Sequence, residues 1–429
     1  MLSTVITVAL VLGISTLAWS LVGLLRWSRP RGAAAGDAPG ADAVRIVIAA
    51  RNEELVLGAT LDAALALVPP EQIHVISDGS TDATAAIANA AGVRLLERPV
   101  NGGKAVALAH GIRHFELDRP GLIVLLLDAD TRLAEDYLRT GLPLFADDGV
   151  AAVAGYASSA RDGSGGALLG RLLLGYRQRT YSAMQLLHKY GQAARHANAV
   201  SIVPGFASMY RGEVVAQIDI DAPGLSIEDF NMTFEVHAKR LGRIAFVPGA
   251  AHAVTQDPDT LRGYAKQVFR WGLGYWQTLR RHRPTPTLFW AAIGLASFEL
   301  IVTNLLLVVL TPLAAVAGAA TGLAALGIDP GGSMSAVAQL LPFGALLLGV
   351  LAADLALTVF AAIVSRRAEL LLLAPFFPVV RLVDAVMGLR AMVAALRQPS
   401  DGAWRSPERR AAAQAPMPRI AVLASAEPS

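Results

Sequence analysis

The stretch Leu122-Ile123-Val124-Leu125-Leu126-Leu127-Asp128-Ala129-Asp130 decides the fold. Its unbroken apolar run leaves no polar face, so it is expected as a central strand of a parallel sheet, buried on both sides by helices. The acidic pair follows where such a sheet opens, at the carboxyl ends of its strands, and that is where open α/β folds bind ligands. Working outward, β-branched runs sit at Val44–Ala49, Ile73–Ser77, Val93–Leu96 and Val150–Ala154, separated by alanine-rich helical stretches. This alternation is the pattern of strand–helix–strand units around a mostly parallel sheet. Polar clusters Arg51-Asn52-Glu53, Asp78-Gly79-Ser80 and Asn101-Gly102-Gly103-Lys104 follow the strands, and together with Asp128-Ala129-Asp130 they are expected to line one crevice.

Of the 429 residues, 54% are hydrophobic and only 17% charged, too oily for a soluble chain of this length. The formal charge of +3 is far too small to recruit nucleic acid by neutralising phosphates. With no cysteine, a disulfide framework, a thiolate metal site and a cysteine nucleophile are excluded.

The apolar residues are concentrated at the two ends. Leu2–Leu25 carries no charge and is followed by Arg26, Arg29 and Arg31, the reverse of a cleavable leader, so residues 1–27 are expected as a retained anchor. Leu288–Leu326 holds only Glu299, and Val337–Val364 only Asp354. Arg280, Arg281 and Arg283 precede the first of these blocks and Arg366 and Arg367 follow the second, which puts every basic cluster, and the middle of the chain, in the cytoplasm. Leu370–Leu396 is interrupted by Pro375, Pro378, Arg381, Asp384 and Arg390 and is expected as an interfacial or re-entrant helix. The resulting division is 1–27 anchor, 43–260 cytoplasmic catalytic domain, 261–283 interfacial helix, 287–398 membrane and interfacial helices, and 399–429 disordered tail. Glu299, Asn304 and Asp354 would either bond neighbouring helices or line a path for a headgroup or passing chain.

No Gly-x-Gly-x-x-Gly follows the first strand and no phosphate loop of the Gly-Lys-Ser/Thr kind occurs, which argues against dinucleotide enzymes and such ATPases. Carboxylates one residue apart at a strand end, Asp128 and Asp130, suit Mg²⁺ or Mn²⁺, ions that take one or two carboxylates with phosphate oxygens and water. Lys104 after two glycines at a helix start can approach phosphate oxygens. Asp78 can accept from a base N–H or cap a helix, and Glu53 can border the same base or stabilise the next helix by its dipole.

Ser77-Asp78-Gly79-Ser80-Thr81-Asp82, Leu127-Asp128-Ala129-Asp130, Ile227-Glu228-Asp229 and Gln267-Val268-Phe269-Arg270-Trp271, in that order, resemble the membrane-embedded family 2 glycosyltransferases, among them cellulose, chitin, hyaluronan and poly-N-acetylglucosamine synthases. The resemblance implies a cytoplasmic GT-A-type, Rossmann-like domain flanked by transmembrane helices. It further implies transfer from a nucleotide-sugar, UDP-linked by expectation, to a β-linked polysaccharide at the plasma membrane. On the matching positions it places Asp78 at the nucleotide base, Asp128 and Asp130 at donor and metal with Asp130 the direct ligand, Glu228 and Asp229 at the catalytic turn with Asp229 the base, and Gln267, Arg270 and Trp271 at diphosphate and acceptor. Mg²⁺ or Mn²⁺ is the implied cofactor. The donor, a carbohydrate or lipid-linked acceptor, membrane lipid and an accessory membrane subunit are the implied partners. Alternatives are single-sugar transfer to a lipid and a non-catalytic nucleotide-sugar-binding membrane protein. The segment Pro204–Arg211 resembles the acceptor-bordering loop, with Phe206 or Tyr210 available to stack on a sugar ring. Leu168–Tyr190, which mixes leucines with Arg171, Arg177, Arg179 and Lys189, is expected either as an amphipathic helix docked on lipid headgroups or as an ordinary packed helix, and the aromatic stripe Tyr264, Val268, Trp271, Tyr275 and Leu279 suits a membrane interface.

Overall fold

The computed structural model describes residues 13–28, 36–160, 167–341 and 343–397. The first half of the expected anchor, Arg29 and Arg31, and the tail 399–429 lie outside them.

Strands β1 (Val44–Ala50), β2 (Ile73–Asp78), β3 (Arg94–Arg98) and β4 (Ile123–Asp128) pair in parallel in the order β3-β2-β1-β4. Strand β1 shows why the run needs no polar face. Val47 and Ala49 point into one core with Ile76, Val124 and Leu126, while Ile46, Ile48 and Ala50 point into the other with Val75, Leu125 and Leu127. Both faces are covered by helices, so alternation is lost and apolar content becomes continuous. Beyond the short β5 (Arg132–Leu133), the sheet continues through β6 (Val150–Ala154), β8 (Ala207–Arg211) and β9 (Arg243–Ala245), with β8 antiparallel between β4 and β6. A second sheet joins β5, β7 (Tyr156–Ser159) and β10 (His252–Thr255).

Strand β8 corrects the expectation that Pro204–Arg211 is a loop. Tyr210 is only 1% exposed in the core, so it is not available for sugar stacking, and Phe206 packs against the opposite core. His252 is buried and its Nε2 meets the Ser158 hydroxyl at 2.9 Å, a structural role.

Two described helices are long and apolar enough to cross a bilayer, Leu288–Ala325 and Glu369–Arg397. The expected block Val337–Val364 is divided into Ser333–Leu340 and Phe343–Ser365. Leu341, which precedes Pro342, takes φ −114° and ψ 90°, the extended conformation that a following proline imposes. The polar residues of these helices bond their neighbours. Glu299 accepts from the Ser15 amide at 3.0 Å, tying helix Ile14–Trp27 to Leu288–Ala325. Asn304 packs on Gly388. Asp354 pairs with Arg179 at 2.5 Å and Arg381 at 3.2 Å.

Those pairings favour the packed alternative for Leu168–Tyr190 over a helix docked on headgroups. Arg179 is 3% and Arg177 6% exposed, so both guanidinium groups point into protein. The terminal helix Phe377–Arg397 runs beside Leu261–Arg281 in the same direction: Tyr264 donates to Asp384, Gly272 approaches Ala391, and Arg280 donates to the Ala395 carbonyl. The aromatic stripe likewise faces protein, with Tyr264 buried and Tyr275 against Phe230 at 5.3 Å.

Candidate active site

The four strand-end loops converge as expected, and much of what joins them is their own polar chemistry. Gly103 takes φ 95°, a value glycine tolerates, and starts helix Lys104–His114. The Lys104 Nζ lies 2.6 Å from Asp128 Oδ1 and 2.7 Å from Glu228 Oε1, and donates to the Gly205 carbonyl at 3.3 Å. Burial opposes the Lys104 charge, but Asp128 and Glu228 outweigh it and hold the ammonium well above its ordinary pKa. The phosphate contact expected of Lys104 is therefore corrected to a clamp on two carboxylates, because its N–H donors are taken up by protein oxygens. Gly205 is required beside it: an added Cβ would stand 3.0 Å from Glu228 Oε1 and 3.3 Å from Asp229 Cβ.

Asp229 opens helix Asp229–Ala238, and its Oδ1 accepts from the Phe230 amide at 2.8 Å. Burial and then the Glu228 charge push its carboxyl up to about 6, against the pull of Lys104 and of the Phe230 and Gly205 amides. A carboxyl raised in this way suits general-base work, which is most efficient when the pKa lies near the operating pH. Lys189, on the π-helical turn Met184–Lys189, is lowered to about 8 by burial, with the Asp229 charge opposing.

Two expected ligand-binding residues are placed elsewhere. Asp78 is fully buried, paired with Arg98 at 2.5 Å and accepting from the amides of Gly102 at 3.1 Å and Gly103 at 2.9 Å. With both oxygens engaged, it shapes the Asn101–Lys104 loop and presents no surface to a base. Glu53 is also fully buried; its amide donates to Thr84 Oγ1 at 2.8 Å and its carbonyl accepts from Val56 and Leu57. It thus joins the first two loops from beneath, as Asn52 does from above by accepting from the Thr81 amide at 2.9 Å.

Asp130 is half-buried, accepts from the Thr131 hydroxyl at 3.4 Å, and lines a narrow cleft with Val56, Thr60, Arg132, Thr255 and Gln256. Among the described residues no group of three or more His, Cys, Asp or Glu side chains could hold a metal. Asp128 and Asp130 offer two carboxylates, the small number that suits Mg²⁺ or Mn²⁺ completed by phosphate oxygens and water, so the donor set fits a substrate-bridged ion.

Helix Leu261–Arg281 packs directly on the acidic turn, since a Cβ on Gly274 would overlap the Ile227 side chain, next to Glu228. Gln267 accepts from Arg177 at 2.7 Å, and the Arg177 guanidinium lies 4.5 Å from the Trp271 ring centroid and 3.5 Å from Asp257. Asp257 in turn accepts from Ser159 at 2.5 Å and Tyr181 at 3.4 Å. Arg270 is half-buried and makes no hydrogen bond or ion pair among the described residues. The sequence reading missed Arg98 and Asp257, and it singled out Arg177 and Gly205 without these roles. For Arg177 a usable signal existed, a charge set in the leucine-rich run Leu168–Gly175 and its continuation.

A mannosyltransferase from Pyrobaculum calidifontis, solved with GDP-Man and Mn²⁺, is similar over 92% of this chain and 98% of its own, with TM-score 0.56 and 18% identity. At that identity the likeness is one of fold, and it bears out the GT-A-type α/β architecture. Glucosyl-3-phosphoglycerate synthase from Mycobacterium tuberculosis matches at 20% identity and TM-score 0.36 over 56% of this chain and 78% of its own. Mannosyl-3-phosphoglycerate synthase from Rubrobacter xylanophilus matches at 20% and 0.37 over 56% and 74%. No curated protein matches the chain. Residues 39–274, more than half of the chain and the whole of the stretch from β1 through Gln267–Trp271, match the family described as glycosyltransferase like family 2, and the chain belongs to that family of sugar-transferring enzymes.

Proposed function

We propose that the chain is an inverting glycosyltransferase embedded in the plasma membrane, moving a sugar from a nucleoside diphosphate donor to a β-linked polysaccharide at the cytoplasmic face. The observation that carries this is the Lys104 clamp, which brings Asp128 and Glu228 within 2.7 Å of one ammonium and so sets Asp229 beside the donor-side carboxylates. Asp229 accepts the proton of the acceptor hydroxyl as its oxygen bonds to the anomeric carbon. The bond from that carbon to the diphosphate oxygen breaks, and its electron pair leaves with the diphosphate. One base and in-line displacement invert the anomeric centre.

Arg270, half-buried on the helix against the acidic turn, makes no hydrogen bond or ion pair among the described residues, and its planar fork of donors suits the diphosphate. Trp271, stacked under Arg177, is positioned to border the acceptor. Asp130 and Asp128 would hold Mg²⁺ or Mn²⁺, which would supply positive charge to the leaving diphosphate. With Asp78 and Glu53 buried, the base is left to the surface of the loops they brace, and both UDP- and GDP-sugars are donors to test. The apolar helices and the arginines at 280, 281, 283, 366 and 367 support the membrane placement. The course of the terminal helix alongside Leu261–Arg281 supports its interfacial location.

A second reading, transfer of one sugar to a lipid acceptor, is favoured by a specific observation. Glu299, Asn304 and Asp354 bond or pack against neighbouring helices, so their polar groups do not line a passage for a growing polymer. The test is incubation of the purified protein in lipid with UDP- and GDP-sugars and Mn²⁺, measuring released nucleotide and product mass. A ladder of products supports polymerisation and one added sugar supports the lipid acceptor. Full turnover by Asp229→Asn would overturn the assignment of the base.

A further inference from the structure

Away from the transfer centre, a cleft of about 440 Å³ opens between the C-terminal turns of Leu261–Arg281 and Phe377–Arg397, floored by Pro223, Gly224 and Leu225. Its polar lining consists of donors. Arg280, Arg281 and Arg397 border it, and Gln277, 7% exposed, contributes its side-chain amide. The orientation of that amide is fixed, because Oε1 accepts from the Ser226 N–H at 2.9 Å. Nε2 is buried, with no hydrogen-bond partner among the described residues. Of the arginines, Arg281 is partly neutralised by Asp219 at 2.5 Å, and Arg280 is steadied by its bond to the Ala395 carbonyl. Arg397 makes no bond among the described residues. Leu225, Ala395 and Leu396 supply an apolar wall.

We propose that this cleft binds the phosphate of an anionic ligand, separately from the donor site. Guanidinium groups recognise a tetrahedral oxyanion, because several donors address its oxygens at once. The apolar wall accommodates a chain attached to that phosphate. The same chemistry is offered by a phospholipid headgroup and by a free phosphate ester.

The test uses the full chain in neutral detergent, and in nanodiscs of phosphatidylcholine with or without phosphatidylglycerol. Glycerol 3-phosphate and inorganic phosphate are the soluble probes. Saturable thermal stabilisation by at least one anionic probe, phosphatidylglycerol, glycerol 3-phosphate or inorganic phosphate, is expected, weakened about tenfold in Arg397→Gln, which loses one charge-assisted contact. Stabilisation by phosphatidylglycerol alone identifies a lipid headgroup; stabilisation by glycerol 3-phosphate as well identifies a general phosphate site. Arg280→Gln provides an independent second variant and is expected to bind the probe more weakly, because it removes another guanidinium from the lining. Equal stabilisation of the native chain and both variants, no saturable effect from any probe, or the same effect from phosphatidylcholine alone would overturn the proposal. Sugar-transfer activity is not the readout, so a failure here leaves the transferase reading standing.

Discussion

The Nζ of Lys104 lies 2.7 Å from Oε1 of Glu228, joining the start of a helix in the N-terminal half of the sheet to the turn that presents Asp229. Glu228 is 5% exposed, so its charge depends on this partner. Lys104→Met is expected to lower Tm, because removing one member of a buried pair leaves the other uncompensated, at a cost of about 3 kcal/mol. Adding Glu228→Gln to that variant restores much of the stability by removing the unpaired charge, but not the turnover. Calorimetry and initial rates on the single and double variants check both parts, and full activity in Lys104→Met would remove the clamp from the mechanism.

The raised Asp229 carboxyl makes two pH-dependent predictions of opposite benefit. For activity, the base must be ionised, so kcat/KM is expected to climb through about pH 6 and then level. Glu228→Gln shifts that midpoint downward by removing the like charge. For stability, a carboxyl whose folded pKa stands above its unfolded value stabilises the fold below the unfolded pKa and loses that contribution as pH rises through the folded one. Asp229→Asn is therefore expected to raise Tm at pH 8 relative to the native chain, with the difference closing near pH 4. An unchanged Tm difference across this range would show that Asp229 is not held near neutrality.

Arg177 carries Gln267 and Trp271 by two different contacts, a hydrogen bond at 2.7 Å and a stack at 4.5 Å. Lysine retains the charge opposite Asp257 but has neither the planar face nor the fork of donors. Arg177→Lys is expected to keep most of the fold and lose about tenfold in kcat, an effect of order 1.4 kcal/mol. A changed Trp271 emission spectrum should accompany the loss.

The sheet was legible because burial on both faces is written locally, in runs such as Leu122–Leu127. Strand β8 was not legible, since Ala207-Ser208-Met209-Tyr210-Arg211 has little β-branched character and becomes a strand only between β4 and β6. The acidic residues announced the convergence of the loops correctly. Their individual duties depended on partners set by tertiary structure: Arg98 takes Asp78, and Lys104 takes Asp128 and Glu228. The same limit applied to Arg177 and Arg179, whose charges suggested headgroups until Gln267, Asp257 and Asp354 were placed beside them.

Gly274 tests whether the aromatic helix must lie flush on the acidic turn for catalysis. An added Cβ would overlap Ile227, and overpacking of this kind costs about 1–3 kcal/mol. Gly274→Ala is expected to destabilise the fold by that amount and to reduce kcat more than donor KM, because the displaced residue adjoins Glu228 and Asp229 while the carboxylates of the β4 loop stay in place. Ile227→Ala removes Cγ1 and Cδ1, the atoms an added Cβ would overlap, so the double variant should regain kcat, and its Tm should lie above the sum of the two single losses. If Tm returns while kcat does not, the glycine serves the chemistry by another route than its contact with Ile227; if neither variant alters kcat, the helix and the turn are energetically joined without being catalytically coupled.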